Sequence, residues 1–226
     1  PAGLYNGMVA PETAYTIKGV IWYQGETDSA PERAPMYHRL FPALIADWRA
    51  QWQQGNFPFL FVQISSYNSP GEIWGTVRDA QRQTLSLTDT AMAVSLDVGT
   101  ADNVHPPDKQ TVGARLALAA RATVYGEKAE YSGPLYRQTT REGQALRVWF
   151  DHAEGLRSKG THVESFEVAG EDHHFVPATG TIEGESVVVS SPAVPMPRFV
   201  RYGWQNVTSA NLYNRADLPA STFTSE

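Results

Sequence analysis

Apolar runs alternate with segments of helical periodicity up to about residue 125, and this order constrains the fold more than any other feature. Three short apolar runs, typical of buried strands, occupy residues 17–23, 58–64 and 91–96. After each run, apolar residues recur at spacings of three and four, over about 35–54, 73–87 and 108–125. Buried strands that alternate with helices predict a parallel sheet with right-handed crossovers.

The sheet predicted by this order is small. Three parallel strands are fewer than most sheets contain, so we expect part of the sheet to lie outside this chain. Pro42 falls inside the first helical segment and predicts either a kink or a late helix start. Asp108 precedes the third helical segment and predicts an N-cap there.

The pattern changes near residue 127. Short alternating segments separated by Gly, Pro, Asp and Glu predict antiparallel strands at 145–150, 163–168, 187–190 and 199–204. We therefore expect two domains: an α/β part over residues 1–127 and a β-rich antiparallel segment over residues 128–226.

Charge and composition exclude several function classes. A net charge of −6 argues against a nucleic-acid partner. The absence of cysteine excludes disulfides, thiolate catalysis and cysteine-ligated metals. No run approaches the roughly 18 apolar residues of a membrane helix, so no membrane partner is predicted. The histidines of the β-rich segment lack metal-ligand spacing, and we expect no metal or organic cofactor.

Ligands of open α/β sheets bind beyond the carboxyl ends of the strands. This rule selects three loops, at residues 24–28, 65–68 and 97–107. In the third loop Asp102 precedes His105 by three residues, so its carboxylate can hold the Nδ1 atom while Nε2 serves as a general base. Chance and turn capping are the plain alternatives for this pair.

The first of these loops contains Gln24, Gly25 and Glu26. The sharper interpretation is that the Gln24 amide donates to an oxyanion and that Gly25 lets the backbone approach a substrate. Glu26 is then a residue that orients its neighbours, a helix cap or an alternative acid. An ordinary turn with a satisfied glutamine is the plain alternative.

Several runs together resemble the bacterial sialate O-acetylesterase family, which belongs to the SGNH (GDSL-type) hydrolases. They are Gly3-Leu4-Tyr5-Asn6-Gly7-Met8, Gly19-Val20-Ile21-Trp22-Tyr23-Gln24-Gly25-Glu26, Asp102-Asn103-Val104-His105-Pro106 and Ala210-Asn211-Leu212-Tyr213-Asn214. The resemblance extends over essentially the whole chain. It implies a Ser-His-Asp mechanism with His105 as base and Asp102 as its orienting carboxylate. It also implies that Gln24 forms part of the oxyanion hole.

The nucleophile is where this sequence departs from the family. Members carry it in a Gly-Gln-Ser-Asn-like segment after the first strand, and neither that segment nor a Gly-x-Ser-x-Gly elbow occurs here. We therefore expect a partial SGNH-hydrolase sheet with flanking helices, equivalent to the C-terminal portion only. On this view the chain begins at Pro1 downstream of the serine, residues 1–127 are the C-terminal half of the hydrolase domain, and an N-terminal part supplies the nucleophile. The serines that could replace it are Ser29, Ser65, Ser66 and Ser95, and none has the local signal of a nucleophile.

The predicted function is a carbohydrate O-acetylesterase that hydrolyses acetyl esters, with this chain alone inactive. Its expected substrate is an acetylated carbohydrate. The resemblance implies export to the bacterial periplasm or beyond. Two alternatives are a non-catalytic carbohydrate-binding or structural fragment and an acetylxylan-type esterase of the same superfamily. The resemblance leaves open that Arg78 and Gln81 face the site, but a solvated helix face is the favoured expectation for both.

Overall fold

The computed structural model describes residues 2–226, and its first part follows the predicted alternation of strands and helices. Short helical segments at Tyr5–Val9 and Ala10–Ala14 precede it. The elements that follow are β1 (Val20–Trp22), α1 (Ala34–Trp52), β2 (Phe59–Gln63), α2 (Trp74–Gln83), β3 (Thr90–Val94) and α3 (Lys109–Thr123). No helix of the described chain is long and apolar enough to cross a membrane.

The three strands form a parallel sheet in the order β1-β2-β3. One face packs against α1 and α2 through an aromatic core that includes Phe41, Phe59 and Phe61. The other face packs against α3 through Leu60, Ala91 and Ala119. Because every strand runs the same way, the loops that follow them lie along one edge of the sheet.

The helix ends and the internal proline bear on two sequence predictions. Helix α1 continues through Pro42, so a late start after this residue was the wrong alternative. The N-cap at Asp108 is confirmed, because its Oδ1 atom accepts a 2.9 Å hydrogen bond from the backbone N–H of Thr111. That cap fixes the start of α3 directly after the loop that holds His105.

Strand β1 is an edge strand of the parallel sheet. It pairs only with β2 among the described residues. The side chain of Ile21 is 70% exposed on the face where Leu60 of β2 is buried. An apolar groove of about 160 Å³ lies beside it, bounded by β1, the start of β2 and the end of α3.

The second part of the chain is a large antiparallel sheet, which confirms its predicted class. In chain order, the strands of this part are β4 (Leu135–Glu142), β5 (Ala145–Asp151), β6 (Arg157–Ser158), β7 (Val163–Ala169), β8 (Val176–Glu183), β9 (Ser186–Ser190), β10 (Phe199–Tyr202), β11 (Leu212–Tyr213) and β12 (Phe223–Thr224). Strands β6 and β11 form a small separate ladder. The large sheet has the order β12-β10-β7-β8-β9-β5-β4. All four predicted strands form, whereas β4, β8 and the two-residue strands β6, β11 and β12 were not predicted.

Buried polar contacts join the antiparallel sheet to the parallel one. The side chain of Gln63, at the end of β2, accepts from the Thr222 backbone N–H at 3.1 Å and donates to the backbone oxygen of Arg78 at 2.9 Å. Asp79 of α2 accepts a hydrogen bond from the backbone N–H of Thr224. The C-terminal segment is therefore fastened to the helix and strand that lead to the candidate site.

Candidate active site

The loops selected by the strand-end rule meet at the carboxyl edge of the parallel sheet. The Asn68 backbone N–H donates to the carbonyl of Ala101 at 3.0 Å, which joins the second loop to the third. Gly99 packs so tightly that a β-carbon there would lie 2.4 Å from the backbone nitrogen of Ser66. A side chain at this position would push the two loops apart.

Gln24, two residues after β1, is held by hydrogen bonds to its side-chain amide and to its backbone carbonyl. Its Nε2 atom donates to Asp28 at 2.6 Å, and its Oε1 atom accepts from the Tyr37 hydroxyl at 3.2 Å. Its backbone carbonyl accepts from the Nε2 atom of Gln81 at 3.0 Å. An amide nitrogen carries two protons, so one N–H of Gln24 stays available to a ligand.

The turn that follows Gln24 requires a glycine at position 25. Its φ of +147° lies where side-chain-bearing residues are strongly disfavoured. An added β-carbon would lie 3.0 Å from the Gln81 amide nitrogen and 3.1 Å from a methyl group of Ile64. Both the backbone conformation and the close packing therefore exclude larger residues.

Glu26 begins a short 3₁₀ turn (Glu26–Ser29) and is partly buried. Burial raises the pKa of its carboxyl, because desolvation penalises the charged form, while coulombic interactions with His105 and Lys109 oppose this rise. The structure therefore brings the first and third loops within electrostatic reach of each other, and it places Lys109 close to them. The same lysine lies over the ring of Tyr23 at 5.1 Å.

We expect the stability of the chain to depend on pH through Glu26. A carboxyl whose pKa is raised by folding contributes stability below its unfolded pKa, near 4.5, and loses it as the pH rises through the folded value. The wild type should therefore lose stability relative to Glu26→Gln as the pH rises above about 4.5. Urea unfolding across this range measures the difference.

The exposed carboxylate of Glu32 offers a matched control for this experiment, as Glu32→Gln removes a charge from the surface nearby. A wild type that instead gains stability over Glu26→Gln as the pH rises would contradict the account of Glu26 as a desolvated carboxyl.

Asp102 and His105 lie in one tight turn and are both exposed. The turn is closed by a bridge between Thr100 and Asn103 and by a 2.9 Å hydrogen bond from the His105 backbone N–H to the side chain of Asn103. Within residues 2–226, no hydrogen bond joins the two side chains. Their assignment as orienting carboxylate and base stays a prediction.

The four serines considered as replacement nucleophiles are all buried. Three of them donate to backbone carbonyls: Ser29 to Glu26, Ser66 to Leu96 and Ser95 to Gln63. The fourth, Ser65, is completely buried, with its hydroxyl unpaired in the described structure. A nucleophile must reach the substrate, so none of these positions suits one.

The prediction that Arg78 and Gln81 lie on a solvated helix face was wrong, because both side chains are completely buried. The guanidinium of Arg78 donates all five of its N–H groups to backbone carbonyls. The acceptors are Ile64, Ser65, Gly203, Gln205 and Asn206. Burial lowers the pKa of Arg78 to about 9, so the group remains charged at neutral pH.

Tyr37 is a site residue that sequence reasoning did not find, and Gln81 was considered for the site only as the less favoured alternative. Gln81 accepts from the Ile64 backbone N–H at 3.0 Å while it donates to Gln24, so it fixes the ends of β1 and β2 together. Tyr37 donates to Gln24 from α1. No local motif marks either residue, because their role depends on loops brought together by the fold.

No group of three or more His, Asp or Glu side chains in the described chain is arranged to hold a metal ion. The polar groups described along the sheet edge are the Gln24 amide, the partly buried Glu26 carboxyl, Lys109, and the exposed Asp102 and His105.

Comparison with known proteins identifies the family of this chain. A family model described as a carbohydrate esterase, sialic acid-specific acetylesterase, matches residues 2–122. The chain belongs to this family. The match to these acetylesterases covers the parallel sheet, its helices and the three loops. It confirms the resemblance carried by the sequence runs.

Individual relatives of the chain extend the match beyond the α/β part. The chain is 33% identical to a rat sialate O-acetylesterase over 98% of its own length, and 40% identical to the mouse protein over 58%. A crystal structure of a carbohydrate acetylesterase from Xanthomonas citri aligns with 99% of the chain at 41% identity and a TM-score of 0.95. The chain covers 46% of the rat protein and 54% of the Xanthomonas citri protein, about half of each.

Proposed function

We propose that this chain supplies His105, Asp102 and Gln24 to the active site of an O-acetylesterase that acts on acetylated carbohydrate. The observation that carries the proposal is the meeting of the Gln24–Gly25–Glu26 turn and the His105 loop at the carboxyl edge of the sheet, with Glu26 and His105 in electrostatic reach. Membership of the acetylesterase family supports the acetyl ester as the reacting group.

In the proposed mechanism, the Nε2 atom of His105 takes the proton of a serine hydroxyl as the serine oxygen attacks the acetyl carbonyl. The free N–H of Gln24 and nearby backbone amides stabilise the oxyanion. The sugar oxygen leaves with the proton from His105. Water, deprotonated in turn by His105, then attacks the acyl-enzyme and releases acetate.

Asp102 orients His105 in this mechanism after a change of side-chain rotamer. Both side chains are exposed, so neither must leave a packed position to form the hydrogen bond. Catalytic hydrogen bonds are often long or misaligned before substrate binds. The raised pKa of Glu26 also suits an oxyanion site, because a larger neutral fraction reduces repulsion of the developing negative charge.

The serine belongs, in this proposal, to a polypeptide segment that docks beside β1. Two observations support that position: the 70% exposure of Ile21 and the apolar groove of about 160 Å³ next to it. A parallel strand placed there would end at the same edge as Gln24. The residue after that strand would face the candidate base across the edge. Export from a bacterial cytoplasm is proposed on the resemblance alone.

We expect the 226-residue chain alone to release no acetate from an aryl acetate or an acetylated oligosaccharide. A longer polypeptide that adds the segment preceding Pro1 is expected to turn over both. Acetate release measured on the two proteins, with circular dichroism to show that the short chain is folded, tests the proposal. Turnover by the short chain would contradict an external nucleophile.

The burial of all four candidate serines also favours a second reading, a carbohydrate-binding or structural protein without activity. The same measurement separates the two. If the longer polypeptide is folded and contains a serine after the added strand, yet releases no acetate from either substrate, the binding function replaces the esterase.

A further inference from the structure

A second groove lies on the antiparallel sheet, outside the site described above. It has a volume of about 500 Å³ and runs between β7, β8 and the loop of residues 203–209. Its walls include one tryptophan, Trp204, and several polar side chains. The polar ones include Glu164, Ser165, Gln205 and Ser209. An aromatic surface beside several hydroxyl and amide groups is the chemistry that recognises a sugar ring, because sugars present C–H faces and hydroxyl edges.

The floor of the groove is shaped by a β-bulge in β7. The pairing register with β8 shifts between Val163 and Phe166, and Ser165 adopts a φ of +66° that is uncommon outside glycine. Its hydroxyl lies 3.1 Å from the hydroxyls of Ser209 and Thr208. The bulge thus holds three hydroxyl groups together at one end of the groove.

Trp204 is anchored rather than mobile. The backbone of Gly75 packs so closely against its indole that a β-carbon there would lie 2.5 Å from the ring. The guanidinium of Arg201 lies 5.3 Å from the ring centre, and Glu167 holds that guanidinium through two hydrogen bonds of 2.9 and 3.3 Å. A rigid aromatic surface binds with little loss of side-chain entropy.

The charges along the groove indicate which kind of sugar fits. Two carboxylates, Glu164 and Glu167, belong to its lining, and within the described residues neither lysine nor arginine does. Arg201 pairs with Glu167, so Glu164 is the carboxylate of the lining without an ion-pair partner among the described residues; His162 also belongs to the lining. A negative site disfavours an anionic sialylated glycan and admits a neutral one.

The loop of residues 203–209 connects this groove to the candidate active site. The carbonyl of Asn206 accepts from the Tyr67 backbone N–H at 3.2 Å, and Arg78 binds three carbonyls of the same loop. On one side the loop lines the groove, and on the other it supports the loop after β2. A glycan chain in the groove would therefore lie beside the carboxyl edge of the sheet.

We propose that this groove binds a neutral segment of an extended glycan whose acetylated unit occupies the active site. The proposal rests on the proposed esterase function and adds a substrate class to it, a neutral polysaccharide or oligosaccharide rather than a sialylated terminus. Trp204 supplies the stacking surface. Gln205 and the hydroxyls of Ser165 and Ser209 supply hydrogen bonds to the sugar.

Binding of unacetylated glycans tests the groove without hydrolysis. Titration calorimetry and tryptophan fluorescence of the 226-residue chain are expected to show binding of xylohexaose, a neutral oligosaccharide, and weaker binding of 3′-sialyllactose. Trp204→Ala is expected to weaken xylohexaose binding by roughly tenfold or more. Gln205→Ala should also weaken it, and it preserves the fold, because Arg78 contacts only the backbone oxygen of this exposed residue.

Trp149→Ala is the matched control. This tryptophan lies on β5, is also partly buried, and has the guanidinium of Arg147 at 5.8 Å from its ring centre. It should leave xylohexaose binding unchanged, and Glu164→Lys should strengthen sialyllactose binding. Undetectable xylohexaose binding, equal binding by wild type and Gln205→Ala, or preference of the wild type for sialyllactose would each overturn the proposal. Because xylohexaose carries no ester, these outcomes are independent of acetate release, which tests the proposed function.

Discussion

Replacing His105 with alanine is expected to lower the kcat of the longer polypeptide proposed above by at least about 10³-fold for an aryl acetate. The proposed base deprotonates the serine during acylation and the attacking water during deacylation, so its loss affects both halves of the reaction. Its exposed position at the end of a rigid loop predicts that the fold is unaffected. Steady-state kinetics together with thermal unfolding measure both effects.

The exposed histidine of α1 gives a matched control, so His38→Ala should retain full activity. Asp102→Asn should lower kcat as well, because the amide favours the wrong imidazole tautomer. It should also change the pH dependence of kcat, which a merely structural role would not move. Full activity of His105→Ala in the longer polypeptide would show that another group is the base.

Replacing Arg78 with methionine is expected to lower the free energy of unfolding by about 3–5 kcal/mol, a large fraction of the stability of a typical domain. Methionine fills most of the volume but removes all five hydrogen bonds. The carbonyls of Gly203 and Asn206 keep one donor each, from Thr222 and Tyr67, and the other three lose theirs. Unpaired buried acceptors keep their full desolvation cost. Urea unfolding monitored by circular dichroism measures the loss.

The same chemical change at the exposed Arg39 of α1 provides the control, and Arg39→Met should alter the unfolding free energy by no more than about 0.5 kcal/mol. Arg78→Lys should recover only part of the loss, since an ammonium offers three donors instead of five. Equal stability of Arg78→Met and Arg39→Met would mean that the carbonyls are satisfied by other groups once the arginine is gone.

The behaviour of Arg78 also shows where sequence reasoning stops. Periodicity placed all three strands and all three helices of the α/β part, because each has a continuous apolar stripe or run. The same logic put Arg78 and Gln81 on a solvated face, since polarity alone was visible. Three of the carbonyls that accept hydrogen bonds from Arg78 are 125 to 128 residues distant in sequence, so no local pattern predicts these contacts.

A similar limit explains the two longer strands that were missed, β4 and β8. Most residues of β4 and β8 are exposed or only partly buried, so their sequences lack the apolar alternation that identified the other strands. For the candidate site, the strand-end rule selected from topology alone three loops that lie along one edge of the sheet. It could not supply the coulombic effect of His105 on Glu26, or the support that Tyr37 and Gln81 give to Gln24.

The open edge of β1 has a consequence for handling the protein. An uncovered strand edge flanked by a large apolar side chain is a template for pairing with another chain, and natural proteins normally cover or charge such an edge. Here Ile21 lies uncovered at that edge, and the nearby Tyr125 of the adjoining groove is also exposed. The isolated chain should therefore self-associate as its concentration rises, and a charge introduced by Ile21→Lys should keep it monomeric.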